Sequence, residues 1–309
     1  MHGVDDLSGI IFDVKHYAIR DGPGIRTTVF FKGCPLRCLW CDNPESQNTY
    51  PELLFYFSRC ARLRECVKVC PAKAIIVQEN DDLLPRIDRL LCSNCGLCAD
   101  MCVAKAMVMI GKRVTGEALL NEVLKDVNFY RRSGGGVTAS GGEPAMQSAF
   151  VSQFFKECQT RGIRTTLDTC GQASWEDIRR IADYTDLILY DVKHIDRKRH
   201  KEYTGVSNDL IIENLKRLSL LGIPIIIRVP IIPGYNDSEE NMTALSTFLT
   251  GLHNIREIDF LPYNRLGLPK YEALGKKSIL AEIQRPTTEK MLRLKEITAS
   301  YGLNAKIVV

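Results

Sequence analysis

Ten of the twelve cysteines in this chain fall into three short clusters: three between residues 34 and 41, three between 60 and 70, and four between 92 and 102. Thiolates two or three residues apart converge on a common centre, so much of this chain must fold around metal. The other use of many cysteines, a disulfide framework, belongs to short secreted chains. This chain has 309 residues, room for one large domain or a domain with a small insert. Its first nine residues show no basic stretch followed by an apolar core, so no secretory signal is expected, and the cysteine usage fits a reducing cytoplasm. A formal charge of +4 is mild and gives no ground for a nucleic-acid partner. No apolar run reaches the roughly 18 residues of a membrane span.

The first cluster, Cys34-x3-Cys38-x2-Cys41, follows a stretch (25–32) whose β-branched and aromatic residues predict a strand. A cube of four irons and four sulfides normally takes four thiolates. Three closely spaced ones hold three irons and leave the fourth open to another ligand. A structural zinc site would need a fourth Cys or His nearby, and Asp42 is a poor substitute. Trp40 and Asp42, flanking the last cysteine, are candidates for the walls of such a site.

Five more short apolar runs follow, at 136–140, 164–168, 186–191, 224–231 and 257–262, with amphipathic stretches between them at about 146–161, 174–183, 207–221 and 238–251. Thr115 is placed to cap a helix carrying Leu119, Leu120, Val123, Leu124 and Val127, and Ser174 begins a capping box ending at Asp177. Six strand–helix units predict an α/β chain with a parallel sheet. The expected form is a partial (β/α)6 TIM-type barrel made of residues 1–50 and 112–309, with its chemistry at the C-terminal strand ends. A doubly wound open sheet is the alternative. The block 51–111, with seven cysteines and no long helical pattern, reads as an insert.

Several polar residues stand at those strand ends. In Ser140-Gly141-Gly142-Glu143-Pro144 the glycines let backbone approach a ligand, and carbonyls with Glu143 can accept hydrogen bonds from an ammonium group. Asp168, Asp191, Lys193 and Arg228 are read as lying at or just past the ends of successive strands, and together offer both charges a zwitterion requires.

Within the insert, Cys92-x2-Cys95-x2-Cys98-x3-Cys102 is a bacterial ferredoxin run, in which the fourth cysteine ligates the neighbouring cluster. Cys60, Cys66 and Cys70-Pro71 keep the same register, but Leu63 stands where a cysteine belongs. Crossing the fourth ligands gives one complete set (Cys70, Cys92, Cys95 and Cys98) and one set of three (Cys60, Cys66 and Cys102). One or two auxiliary clusters are therefore expected. The three-cysteine set would hold a three-iron cluster, a four-iron cube with a non-cysteine ligand, or nothing. Cys158 and Cys170 read as packing residues and His194 as a candidate pocket wall. The basic run 197–201 reads as a solvated helix start.

The order of these pieces resembles one family specifically. Asp21-Gly22-Pro23-Gly24-Ile25-Arg26, the Cys34–Cys41 run and Gly134-Gly135-Gly136-Val137-Thr138-Ala139-Ser140-Gly141-Gly142-Glu143 are similar to the activating enzymes of glycyl radical enzymes. So are Leu167-Asp168-Thr169-Cys170-Gly171, Tyr190-Asp191-Val192-Lys193-His194, Ile227-Arg228-Val229-Pro230 and Leu261-Pro262-Tyr263-Asn264. These are radical S-adenosylmethionine (SAM) enzymes. The resemblance implies a [4Fe-4S] cluster on Cys34, Cys38 and Cys41 with SAM at the open iron. It implies reductive cleavage to a 5′-deoxyadenosyl radical and hydrogen abstraction from a backbone glycine of a partner glycyl radical enzyme. By the same resemblance Gly142 and Glu143 face the SAM amino group, Asp168 the ribose, and Lys193 and Arg228 the carboxylate, with Gly141 a further cofactor-binding candidate. Asp168 and Asp191 are candidates for a monovalent cation, and Asp21 for the grip on the partner's glycine loop, with Arg26 a further candidate. Asn264 stands where the best-known member has histidine, so positioning is retained there and proton transfer near neutral pH is not. Flavodoxin or ferredoxin is the implied reductant, and the fold implied is the radical SAM barrel with a ferredoxin-like insert. A radical SAM enzyme acting on a small molecule and a simple electron carrier are the competing readings.

Overall fold

The computed structural model describes residues 7–77 and 84–308. Most of the segment read for a secretory signal lies outside them. Thirteen strands occur among the described residues: β1 (Ser8–Ala18), β2 (Arg26–Phe31), β3 (Glu52–Phe55), β4 (Ile75–Val77), β5 (Pro85–Ile87), β6 (Met107–Ile110), β7 (Lys112–Thr115), β8 (Gly136–Gly141), β9 (Arg164–Thr169), β10 (Leu187–Asp191), β11 (Ile225–Ile231), β12 (Ile255–Pro262) and β13 (Ala305–Ile307). Nine of them form one sheet in the order β13-β12-β11-β10-β9-β8-β2-β1-β7. Every pairing from β2 to β13 is parallel. The six strands expected from sequence stand side by side in chain order. A doubly wound sheet would reverse its order at a switch point, whereas a barrel wall does not. The sheet's two ends are not paired with each other, so the barrel is partial. β1 and β7 extend one edge antiparallel to their neighbours, and the sequence reading has neither.

The connecting helices cover the outer face. Helix Ser148–Thr160 turns Phe150, Val151, Phe154, Phe155 and Cys158 inward at helical spacing, and Cys158 is fully buried among them. Each such side chain removed from water contributes about 1.5–3 kcal/mol. The two expected caps are present: Thr115 Oγ1 accepts from the Ala118 amide at 3.2 Å, and Ser174 Oγ accepts from the Asp177 amide at 3.2 Å. The strands are not apolar on both faces. Thr138, Ser140, Thr166, Asp168, Asp191 and Arg228 occupy alternate positions on β8 to β11 and turn to the inner face. There a core would otherwise close, and a polar chamber forms instead.

Residues 52–77 and 84–110 build two antiparallel pairs, β3 with β6 and β4 with β5, and two four-residue helices, Glu65–Lys68 and Leu97–Asp100. They pack on a small core of Leu53, Ile75, Cys98, Ala99 and Met107. Buried Lys32, beyond the end of β2, ties this unit to the barrel by donating to Glu52 Oε2 at 3.0 Å and to the Glu45 carbonyl at 2.7 Å. No helix among the described residues is long and apolar enough to cross a membrane.

Candidate active site

The triad occupies a loop that leaves β2 at the C-terminal mouth of the barrel. Gly33 turns it, at a φ of +97° that a side chain would oppose. The loop is held by backbone bonds from outside itself: Gly33 N to Ser46 O at 2.7 Å, Arg37 N to Thr204 O at 2.7 Å, and Leu39 N to Tyr203 O at 3.0 Å. The glycine-rich turn after β8 lies directly against it. Gly142 N donates to Phe31 O and Glu143 N to Gly33 O, and a Cβ on Gly142 would stand 2.2 Å from the Gly33 carbonyl oxygen. Gly142 is therefore fixed by the contact of two loops.

A cavity of about 330 Å³ opens between them. Cys34, Cys38 and Cys41 line one side, and Asp168, Asp191, Lys193 and Arg228 line another. Arg228 Nη1 donates to Asp168 Oδ2 at 3.1 Å, and Ser140 Oγ donates to the same oxygen at 2.6 Å. Burial pushes the Asp168 carboxyl up to about 6 against the pull of Arg228. Burial opposes the Lys193 charge, yet Asp191 at 2.8 Å and the nearby thiols hold its pKa well above the ordinary lysine value. Burial likewise pushes the Cys41 thiol up to about 11 and Cys38 higher still. Metal ligation must therefore displace protons there.

The residues fit an iron–sulfur cluster with a zwitterionic ligand. Three thiols share one wall of a cavity within the usual size range for small-molecule sites. Two cations stand opposite, and the buried Arg228 Nε has no hydrogen-bond partner among the described residues. Asp21 also lines the chamber and accepts from Thr28 Oγ1 at 2.7 Å. Trp40 lines it too, backed by Tyr203 and Tyr235. Asp42 and Asn264 meet at its rim, where Asn264 Nδ2 donates to Asp42 Oδ2 at 3.3 Å.

Three expected contacts lie elsewhere. The Glu143 side chain is fully buried and does not line the cavity. Its carboxylate accepts from Ala145 N, Thr169 Oγ1 and Cys170 N at 2.8–3.0 Å, which locks the β8 turn to the end of β9. Any direct contact from this turn to a ligand falls to Gly141 and Gly142. Arg26 is buried toward the opposite, N-terminal end of the strands. Its guanidinium donates to Thr138 Oγ1 at 2.6 Å and Val137 O at 2.7 Å, so it braces the barrel. His194 is buried against Tyr203 with its Nδ1 accepting from Asp196 N, and burial pulls its pKa down to about 4. In the basic run only His200 is buried, as an inward anchor of helix Arg197–Thr204. The sequence reading gave no site role to Cys170, which is buried and lines the cavity together with Cys34, or by itself to Ser140, which orients Asp168. The available signal was their place at strand ends beside residues already singled out.

The insert sorts its cysteines between two small cavities. One is lined by Cys70, Cys92, Cys95 and Cys98, the other by Cys60, Cys66 and Cys102. These are the crossed sets that the ferredoxin register implies. The two exchanged ligands have matching surroundings: Cys70 Sγ accepts from Ala74 N at 3.3 Å, and Cys102 Sγ from Ala106 N at 3.2 Å.

Comparison with known proteins gives the class first. A Radical SAM superfamily model matches residues 92–245, and a 4Fe-4S single cluster domain model matches residues 20–73. The fold is similar to that of a radical SAM methyltransferase from Sphaerobacter thermophilus, with a TM-score of 0.51 at 17% identity over 64% of this chain and 58% of that one. The chain is 43% identical over 298 residues to the isethionate sulfite-lyase activating enzyme of Nitratidesulfovibrio vulgaris, spanning 94% of this chain and 95% of that protein. It is 42% identical over 304 residues to the trans-4-hydroxy-L-proline dehydratase activating enzyme of Clostridioides difficile, spanning 97% and 99%. The chain belongs to the glycyl radical enzyme activating enzymes of the radical SAM superfamily.

Proposed function

We propose that the barrel cavity binds a three-cysteine [4Fe-4S] cluster and SAM, and that the protein thereby activates a partner glycyl radical enzyme. The observation that carries this is the joint lining of one cavity by Cys34, Cys38, Cys41, Lys193 and Arg228. When bound, the cluster and SAM supply one-electron cleavage of the sulfonium to methionine and a 5′-deoxyadenosyl radical, which takes a hydrogen atom from a backbone glycine of the partner.

The chain's own residues position that chemistry. Cys34, Cys38 and Cys41 would hold the cluster through three of its irons, leaving one for SAM. Lys193 and Arg228 receive the carboxylate. The backbone at Gly141 and Gly142 receives the amino group, with Glu143 setting the turn from behind. Asp168, oriented by Ser140 and Arg228, accepts from the ribose hydroxyls. Asp191 holds Lys193 in place and, with Asp168, offers oxygens to a monovalent cation. Trp40 closes one side, and Asp42 with Asn264 forms the rim. Asp21, which lines the same cavity, would grip the partner's glycine loop.

The insert, residues 51–111, is a ferredoxin-like unit whose Cys70, Cys92, Cys95 and Cys98 hold one auxiliary [4Fe-4S] cluster, reduced by flavodoxin or a ferredoxin. The partner belongs to the lyases and dehydratases served by the relatives. The test is anaerobic electron paramagnetic resonance of the reduced, reconstituted protein with SAM and a candidate partner. A SAM-dependent, glycine-centred doublet is expected. 5′-Deoxyadenosine without a doublet for any glycyl radical partner would redirect the reading to a small-molecule substrate. Intact clusters without 5′-deoxyadenosine would end it.

A further inference from the structure

We infer that the cavity of Cys60, Cys66 and Cys102 holds a second auxiliary iron–sulfur cluster with one labile corner, beneath Leu63, that exchanges iron with solvent. This rests on the reading of the insert as a ferredoxin-type unit.

Three observations support it. The three thiols line a cavity of their own, about 40 Å³, separate from the one lined by the four-cysteine set. Hydrogen bonds already point at two of the sulfurs: Arg62 N donates to Cys60 Sγ at 3.4 Å, and Ala106 N and Met107 N donate to Cys102 Sγ at 3.2 and 3.4 Å. Amides aimed at sulfur stabilise the charge a cluster places on its thiolates. The three thiols and those amides border the same cavity. The fourth corner is different. Leu63 occupies the register position of the missing cysteine, offers no ligand atom and is 59% exposed. The nearest acid on that wall, Glu65, is half-exposed and ion-paired to Lys68 at 2.7 Å.

Three thiolates hold three irons of a cube firmly. Oxidation of [4Fe-4S]2+ by one electron, with ferricyanide as acceptor, then releases the unanchored iron as Fe2+ and leaves [3Fe-4S]+ on Cys60, Cys66 and Cys102. Reductant and added Fe2+ reverse the exchange. The four-cysteine cluster cannot lose a corner so easily.

The test uses the full chain carrying Cys34→Ala, Cys38→Ala and Cys41→Ala, which removes the barrel cluster and its own open iron. On ferricyanide treatment, iron should fall from about eight to about seven per chain, with a near-isotropic three-iron resonance approaching one spin per chain. Adding Cys66→Ala should abolish that resonance. Adding Leu63→Cys should leave about eight irons that resist oxidation. About four irons and no three-iron resonance would overturn the inference while leaving the four-cysteine cluster in place. About eight irons stable to ferricyanide without Leu63→Cys would also overturn it, pointing to Glu65 as a firm fourth ligand. No iron in a folded chain would overturn the ferredoxin-type reading itself. Separately, SAM cleavage by the unsubstituted protein reports on the activase reading, so the two cannot be confused.

Discussion

The barrel cavity and the insert both gather cysteines, but they are held by different means. In the barrel, the cysteine loop is pinned by backbone bonds to two other segments, and the opposing charges sit on hydrogen-bonded strands over a large buried core. In the insert, cysteines hang on four-residue helices and short strand pairs, with Arg62, Arg64, Lys73, Asn94 and Lys105 at positive φ. Such a unit buries little apolar surface for its length, so on the proposed reading bound metal would supply much of its folding free energy. The barrel holds its cavity ready through protein contacts, whereas the insert, on the proposed reading, would be set by the metal it binds.

This difference can be broken experimentally. The largest effect should come from Cys38→Ala, which removes a ligand of the open-iron cluster. SAM cleavage should fall to background while the iron of the insert remains. Retained cleavage would refute the assignment of the triad. Next, Cys95→Ala should lower iron by about four per chain and open the insert to proteases, with SAM binding kept. Loss of SAM binding in that variant, still folded, would show that the insert shapes the barrel cavity. Then Lys193→Ala and Arg228→Ala should each weaken SAM binding by about ten- to a hundredfold, as expected for a lost charge-assisted contact in a buried site. Calorimetry on the anaerobic holoprotein would measure this. Unchanged affinity in both variants would move the SAM carboxylate elsewhere.

What could be read before the fold follows the same division. Cysteine register is a one-dimensional property, so the crossed sets of Cys70 and Cys102 were legible although their partners lie 22 to 42 residues away in sequence. The six parallel strands were legible because apolar and β-branched runs alternate with capped helices. β1 and β7 were not. β1, between β2 and the edge strand β7, is half-buried with Asp13, Lys15 and Tyr17 exposed, and β7 has four residues and no buried position. Residue type identified Glu143 as part of the site, but its direction depends on Thr169 and the Cys170 amide across the next strand, which no local pattern reveals. The place of Cys170 was hidden for the same reason, since it joins Cys34 in the cavity wall only through the folded β9 end.

The smallest effect tests whether the barrel charges are set by the fold alone. The Asp168 carboxyl is held at about 6 rather than its ordinary 3.8, chiefly by burial. A raised pKa means that the folded chain binds this proton more tightly than the unfolded chain does. The stability from this group is therefore complete below about pH 4 and is lost as pH rises through about 6. SAM binding should run the other way, because only the ionised carboxylate accepts from both ribose hydroxyls. One unit below its pKa the carboxylate is about one-tenth ionised, so SAM affinity should fall by about five- to tenfold between pH 7 and 5. Asp168→Asn fixes this position in a neutral state. Its affinity should be lower at pH 7 and lack that part of the pH dependence, and the metal-free chain should lose the matching part of its own pH-dependent stability. If the variant kept the full slope in both measurements, the titrating group would lie elsewhere in the cavity, and Asp168 would be a brace for Arg228 rather than a ligand of the ribose.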